Sequence, residues 1–377
     1  MEMVILIKKL LTTLAVGTAA ALTIPALTAS ARAERVEVIA SGLDHPWSVA
    51  FLPAGRGVLV TERAGRLLHI APGAKPRVVV GVPAVRLQSQ GGLFDVVLHP
   101  RFAENGLIFL SYAAGTKAAN FTRITRARLD GDRLVEARVI FQVSPAKDTP
   151  VHYGGRMAFL GDGSLVMTTG DGFDYREQAQ RLQSGLGKIV RMNADGRPLA
   201  GNPFIGVKGA QPHIWSFGHR NPQGLAVDPA NGRLWEHEHG PKGGDEINLI
   251  QRGGNYGWPI ATFGLDYSGA TISPFKRYKG MIDGRQIWVP SIAPSGLAVY
   301  RGAMWPQWQG DLIVGALAAA EVRRVDVDAA GNVVGQARIF PSIKVRIRDV
   351  RVAPDGAVWV TTDEDADKGG RVLRVTP

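Results

Sequence analysis

The stretch from His219 to Pro259 reads His-Arg-Asn-Pro-Gln-Gly, then Glu-His-Gly-Pro-Lys-Gly-Gly-Asp-Glu-Ile-Asn, then Gly-Asn-Tyr-Gly-Trp-Pro. Charged, amide and glycine residues stand where a packed segment would show apolar periodicity, a composition that suits a ligand or metal site built on loops. Arg220 and Asn221 set a planar guanidinium beside an amide, suited to bidentate targets. The alternative is an internal ion pair for Arg220 and a turn that starts at Asn221 before Pro222. His152 lies just before the strand run Met157-Ala158-Phe159, beside Gly154 and Gly155, which allow a ligand to approach closely. A neutral imidazole there could take a proton from a hydroxyl near neutral pH, although an isolated histidine more often has a structural role. Arg346 and Arg348 alternate at period two, so both project from one face of a strand. Side by side they need an anion between them or carboxylates to pair with. A solvated edge face, with Asp349 and Asp363 nearby, is the other reading.

The elements that must position these residues follow one recurring pattern: a short β-rich run, a Pro/Asp/Asn/Gly turn, and a second β-rich run. Copies begin at Phe51, Leu98, Phe159, Val227, Val299 and Val352, with spacings of 47, 61, 68, 72 and 53 residues. Each copy is a hairpin signal, and the spacing is close to the length of a propeller blade with loops of variable size. Six copies predict an all-β, six-bladed β-propeller of four-stranded antiparallel blades, closed in a ring that leaves few exposed edges. The best helical candidate is the short run from Tyr175 to Leu186. Two β-sandwich domains would need a linker, and no Pro/Ser-rich or charge-run boundary is present. The chemistry of a propeller is expected on long loops at one channel mouth. The longest inserts follow Gly170, surround Gly201 to Gln211, and run from Gln251 to Pro290.

Lys8 and Lys9 precede an apolar run from Leu10 to Leu27, and Ala31-Arg32-Ala33 supplies small residues for cleavage. Residues 1–33 therefore read as a cleaved secretory signal, and residues 35–377 as one propeller domain in the periplasm. A retained anchor is disfavoured because Thr12, Thr13, Gly17, Thr18, Thr23 and Pro25 interrupt the run. With no cysteine in the chain, disulfide staples, thiolate metal sites and cysteine nucleophiles are excluded. Losing Lys8, Lys9, Arg32 and Glu2 lowers the formal charge from +11 to +9. The arginines are scattered, with no basic run interleaved with aromatics, so nucleic-acid binding is not indicated. The excess positive charge reads as surface bias, with an acidic redox partner or anionic membrane surface as a second reading.

The motifs from 219 to 259 and from 345 to 350 resemble those of the soluble aldose sugar dehydrogenases that use pyrroloquinoline quinone (PQQ) and calcium. The resemblance covers nearly the whole mature chain. It implies that His152 is the catalytic base, that Gln90 contacts the quinone through its amide, and that Arg220 and Asn221 contact the cofactor. It implies that Arg346 and Arg348, in Arg-Ile-Arg-Asp, bind the PQQ carboxylates, and that Gly240 and Pro241 hold the cofactor's calcium through main-chain carbonyls. Glu246 and Tyr256 resemble a second calcium site, with Tyr256 contributing its main chain. Tyr267 is placed toward cofactor or sugar, a packed aromatic being the alternative. Two departures stand out. Relatives often have an acidic residue before the histidine, where this chain has Val151, which leaves the carboxylate that orients the imidazole unassigned. Some carry a lysine near Gly315-Ala316-Leu317-Ala318, where Ala318 is the closest match, so one charge contact to PQQ is missing.

The implied reaction is oxidation of an aldose at C1. His152 takes the proton of the anomeric hydroxyl, the C1 hydride passes to the quinone C5, and lactone and PQQH2 result. Calcium polarises the quinone oxygen, Arg220 stabilises the developing charge, and electrons leave to a dye, a quinone or a small cytochrome. Two alternatives belong to other classes. A calcium-dependent lactonase on the same fold would have no use for Gln90 or for the Arg346 and Arg348 pair. A non-enzymatic ligand-binding propeller would need none of the converging polar loops.

Overall fold

Each sequence repeat becomes the first hairpin of a blade. The computed structural model describes residues 34–364 and 369–377, and the segment read as a secretory signal lies outside them. Six four-stranded antiparallel sheets follow one another along the chain. The first strands are Pro46–Phe51, Leu93–Leu98, Gly154–Phe159, Pro222–Val227, Pro294–Val299 and Ile347–Val352. Each packs against the first strand of the next blade, and the sixth packs against the first, which closes the ring of a six-bladed β-propeller.

Closure comes from a strand that the repeat pattern did not include. Arg35–Leu43 pairs antiparallel with Gly370–Thr376, Arg35 opposite Thr376 and Leu43 opposite Gly370, and supplies the outer strand of the sixth blade. That pairing joins the two ends of the chain in one blade and covers the edge that Gly370–Thr376 would otherwise expose.

The second strands Val58–Glu62, Leu165–Thr169, Leu234–Glu238 and Leu312–Ala316 are buried along their whole length. A neighbouring blade covers each face, so they read as short continuous apolar runs and not as alternating ones. The core is divided accordingly. Six apolar clusters lie one between each pair of neighbouring blades, for example Leu59 and Leu67 against Ile108 and Leu110, and Trp235 against Leu312 and Val314. The helical expectation from Tyr175 to Leu186 is corrected to a 3-10 turn at Arg176–Gln180. Only Ala179 of that turn is buried, so it lacks the apolar stripe a longer helix would need.

Charges fill the middle of the ring. Arg156 Nη1 lies 3.0 Å from Asp349, its Nε donates to Gln223 O at 2.8 Å, and its guanidinium sits 3.9 Å from the Trp47 ring centroid. Arg351 bridges Asp349 at 2.8 Å and Asp95 at 2.9 Å. Buried Asp95, Arg156 and Asp349, with the partly buried Arg351, thus tie the first, second, third, fourth and sixth blades together. Asp349 is committed here and does not serve Arg346 or Arg348.

Candidate active site

In an antiparallel blade the entrance of the first strand lies beside the exit of the second. His152, Gln90, Arg220, Asn221, Arg346 and Arg348 stand at or just before first strands, and Gly240, Pro241 and Ala318 follow second strands. All therefore open on one mouth, opposite the hairpin turns by which the repeats were recognised.

His152 is buried and its backbone is left-handed, with φ of 52°. A left-handed backbone conformation of this kind costs about 1–3 kcal/mol for a non-glycine residue and persists only where neighbours enforce it. The Gln90 side-chain oxygen accepts the His152 N–H at 2.8 Å. Gly170 has no room for a side chain, since a Cβ there would lie 2.3 Å from the His152 carbonyl oxygen. Asp171 Oδ1 lies 2.7 Å from His152 Nδ1. The carboxylate therefore comes from the end of the neighbouring strand, 19 residues on, and not from position 151. It fixes the proton on Nδ1 and leaves Nε2 as the basic nitrogen. Burial lowers the imidazole's proton affinity below the ordinary histidine value. Asp171 opposes that shift, while Arg220 and Lys147 add to it, so the ring is neutral and able to accept a proton at neutral pH.

Arg220 is buried, and its Nη1 donates to Gly240 O at 2.6 Å and His239 O at 3.1 Å. Its guanidinium has no carboxylate partner among the described residues, and Nε is buried without any partner. The carboxylate of Glu238 instead takes the main-chain N–H groups of Arg220 and Asn221. Trp258 and Tyr267 flank the guanidinium at 5.3 and 5.9 Å. Tyr267 is 59% exposed and lies over Phe173, with centroids 6.3 Å apart, so it belongs to the mouth and not to the core. Phe173, Arg220, Pro241, Trp258 and Tyr267 line a cavity of about 310 Å³.

Arg346 and Arg348 converge on the carboxylate of Asp363, at 3.5 and 3.0 Å, and His45 Nδ1 lies 2.7 Å from its other oxygen. Burial alone would raise the proton affinity of Asp363, but Arg348 and His45 outweigh it and hold the carboxyl at about 2. Two guanidinium groups against one carboxylate leave a net positive charge facing the mouth. Arg346 Nη1 also reaches Leu317 O, next to Ala318, at 3.4 Å. A basic group thus stands beside the position where the sequence lacks one.

Beneath this mouth lies a second polar cluster. His219, Glu236 and Glu238 bring potential ligand atoms within 4.8 Å of one another. Glu236 Oε1 is buried and has no partner. Glu238 and Glu246 border a small cavity with Tyr256. Burial, followed by repulsion from Glu238, raises Glu236 and Glu246 well above the ordinary carboxylate range. A cation among these carboxylates would remove that penalty. The Tyr256 hydroxyl already donates to Leu249 O and accepts the Gln251 N–H, both at 2.8 Å, so its main-chain oxygen remains the group it can offer an ion.

Sequence reading did not find Asp171, Glu236, Glu238 or Lys147, and it gave Asp363 only as a carboxylate near Arg346 and Arg348 on the reading of a solvated edge face. A signal was present for several of them: aligning blades by their second strands puts an acidic residue at or just after the strand end at Glu62, Asp171, Glu238 and Asp363. Lys147 gave none. Burial pushes its ammonium down to about 7, and it donates to Asn120 Oδ1 at 3.0 Å.

The family described as Glucose / Sorbosone dehydrogenase matches residues 43–374. Aldose sugar dehydrogenase YliI of Escherichia coli strain K12 is 42% identical over 360 residues, covering 93% of this chain and 95% of that protein. The crystal structure of the soluble aldose sugar dehydrogenase from Escherichia coli in the apo-form is similar with a TM-score of 0.87 and 41% identity, covering 91% of this chain and 99% of that one. The PQQ-bound form of aldose sugar dehydrogenase from Streptomyces coelicolor is similar with a TM-score of 0.74 and 29% identity, over 91% and 98% of the two chains. A propeller with one polar mouth and a match of this extent together establish that the chain belongs to the glucose/sorbosone dehydrogenase family, the family of the aldose sugar dehydrogenases.

Proposed function

We propose that this protein is a periplasmic PQQ- and calcium-dependent dehydrogenase that oxidises aldose sugars at C1 to the lactone. The observation that carries the reading is the His152–Asp171 pair, held by Gln90 and in contact with Phe173, which lines a cavity with Arg220 and Tyr267. The residues present fit an anionic, planar cofactor. Arg346 and Arg348 share a single carboxylate, and Arg220 has a buried donor with no partner. Those three would hold PQQ, with Gln90, Asn221 and Tyr267 beside them. Gly240 and Pro241 carbonyls would hold its calcium, in place of or beside the hydrogen bond that Gly240 O takes from Arg220. Glu246 and the Tyr256 main chain would hold a second ion, and the buried, partnerless Glu236 oxygen adds to the negative field there.

PQQ, when bound, supplies the acceptor for two electrons, and calcium beside it supplies positive charge. The chain's own residues do the rest. His152 accepts the proton of the anomeric hydroxyl at Nε2, and Asp171 stabilises the imidazolium that forms. Arg220 places a fixed positive charge beside the reacting sugar. Phe173 and Tyr267 offer apolar faces at the mouth, against which a sugar ring packs. A dye, a quinone or a small cytochrome takes the electrons away.

The test is reconstitution of metal-depleted protein with calcium and PQQ, followed by dye reduction on adding an aldose. A lactonase would need only calcium and would hydrolyse a lactone without PQQ, and a binding propeller would do neither. His152→Gln should keep PQQ bound and lose about 10²- to 10⁴-fold in turnover, the usual contribution of a general base. Full activity in that variant would remove His152 from the mechanism. Cell fractionation tests the periplasmic location, which rests on the secretory signal.

A further inference from the structure

The carboxylate of Asp171 is wholly buried and receives three donors. Oδ1 faces His152 Nδ1 at 2.7 Å and takes the Phe173 N–H at 2.8 Å, and Oδ2 takes the indole N–H of Trp258 at 2.7 Å. The first two partners belong to the same blade. Trp258 does not: it comes from the insert that follows the third strand of the fourth blade, Asp245–Ile250.

Its place is fixed from both sides. The Trp258 main-chain N–H donates to Gly218 O at 3.0 Å, and its carbonyl accepts from Gln180 Nε2 at 2.7 Å. From these contacts we infer that Trp258 is a positioning residue for the general base: its indole N–H orients and stabilises the Asp171 carboxylate and so sets the basicity of His152. The inference rests on the reading of His152 as the base.

The physical argument concerns a buried oxygen. A carboxylate oxygen out of water needs a donor, and each donor lost makes the carboxylate more basic. The indole is the partner of Oδ2. Without it the carboxylate, still held by the Phe173 N–H, would pull harder on the imidazole proton. The charged groups acting on His152 are Asp171, which raises its proton affinity, and Arg220 and Lys147, which lower it. Trp258 acts through the first of these. Trp258→Phe keeps an aromatic ring beside Arg220 and removes the N–H together with part of the indole's buried volume.

Protein free of cofactor and labelled with ¹³C/¹⁵N in histidine and in the tryptophan indole provides the test by NMR titration. The His152 resonance is assigned by its loss in His152→Gln. In Trp258→Phe the imidazole midpoint should move to higher pH by about half a unit or more, since the carboxylate is then more basic. In the parent, one indole N–H should track the His152 titration and cease to do so in His152→Gln, a readout that does not need the tryptophan variant to fold. After reconstitution, the acid limb of kcat/KM in Trp258→Phe should move up with the midpoint. A midpoint unchanged or lowered overturns the proposal, as does a parent in which no indole follows His152. If the protein oxidises no aldose at all, the functional reading fails, and the imidazole shift still decides the role of Trp258.

Discussion

Replacing Asp171 by asparagine changes one atom and sets a problem that the site cannot solve. Asp171 presents two acceptor oxygens to three donors, from His152, Phe173 and Trp258. An amide has one acceptor oxygen and one donor group. If the oxygen faces His152 and Phe173, the NH2 meets the Trp258 N–H, and two buried donors oppose each other. If the oxygen faces Trp258, the NH2 meets Phe173 N and forces His152 Nδ1 to become an acceptor. The imidazole proton then sits on Nε2, and the base is in the wrong tautomer. The first arrangement leaves a buried donor unpaired, at about 1–3 kcal/mol in stability, and replaces a charge-assisted bond by a neutral one. The second removes general-base catalysis, worth about 10²- to 10⁴-fold. Asp171→Asn should therefore lose about 10²-fold or more in kcat/KM and about 1–3 kcal/mol in urea stability, with the PQQ titration close to the parent's. The assay is dye-coupled sugar oxidation on reconstituted protein, with urea melts in parallel. A variant within threefold of parent kcat/KM would refute the argument that Asp171 orients the base.

Arg348→Ala should weaken PQQ binding by about 2–5 kcal/mol, the cost of removing one partner of a largely buried charge pair, read by cofactor titration; an unchanged curve would confine Arg348 to holding Asp363. Chelation should abolish PQQ reconstitution and lower the melting temperature, since ions that bind the folded state stabilise it by mass action. Glu246→Gln should lower the melting temperature more than turnover, and chelator-insensitive activity in protein without bound calcium would remove the metal assignment. Asp363 is held at about 2, below the ordinary carboxylate value of 3.8, so its contribution is present above about pH 4 and is lost as pH falls through 2. With about 1.4 kcal/mol per pH unit, the parent should lose roughly 1 kcal/mol more than Asp363→Asn between pH 5 and pH 3 in urea melts. Equal losses would mean that the ion pair does not form in solution.

The blade count and the location of the polar mouth were legible because each rests on local chemistry. A Pro/Asp/Asn/Gly turn between two β-rich runs specifies a hairpin wherever it occurs, and six of them announce six blades. The dense run from His219 to Pro259 and the alternating Arg346 and Arg348 announce polar loops for the same reason, and the structure brings them to one mouth. What pairs with what was not local. His152 takes its carboxylate from Asp171 across a strand pair, Asp171 takes a donor from Trp258 87 residues away, and Asp363 takes Arg348 and His45 from opposite ends of the chain.

Closure of the ring by Arg35–Leu43 was equally invisible, because that strand repeats no blade motif and finds its partner Gly370–Thr376 only after the other blades have turned the chain through a circle. The first hairpin of each blade and the polar loops could be read from the sequence alone, since backbone propensity and turn chemistry act over a few residues. Only the tertiary structure decided the partners of each buried charge, because burial makes every unpaired charge costly and the ring dictates which carboxylate is near enough to answer it.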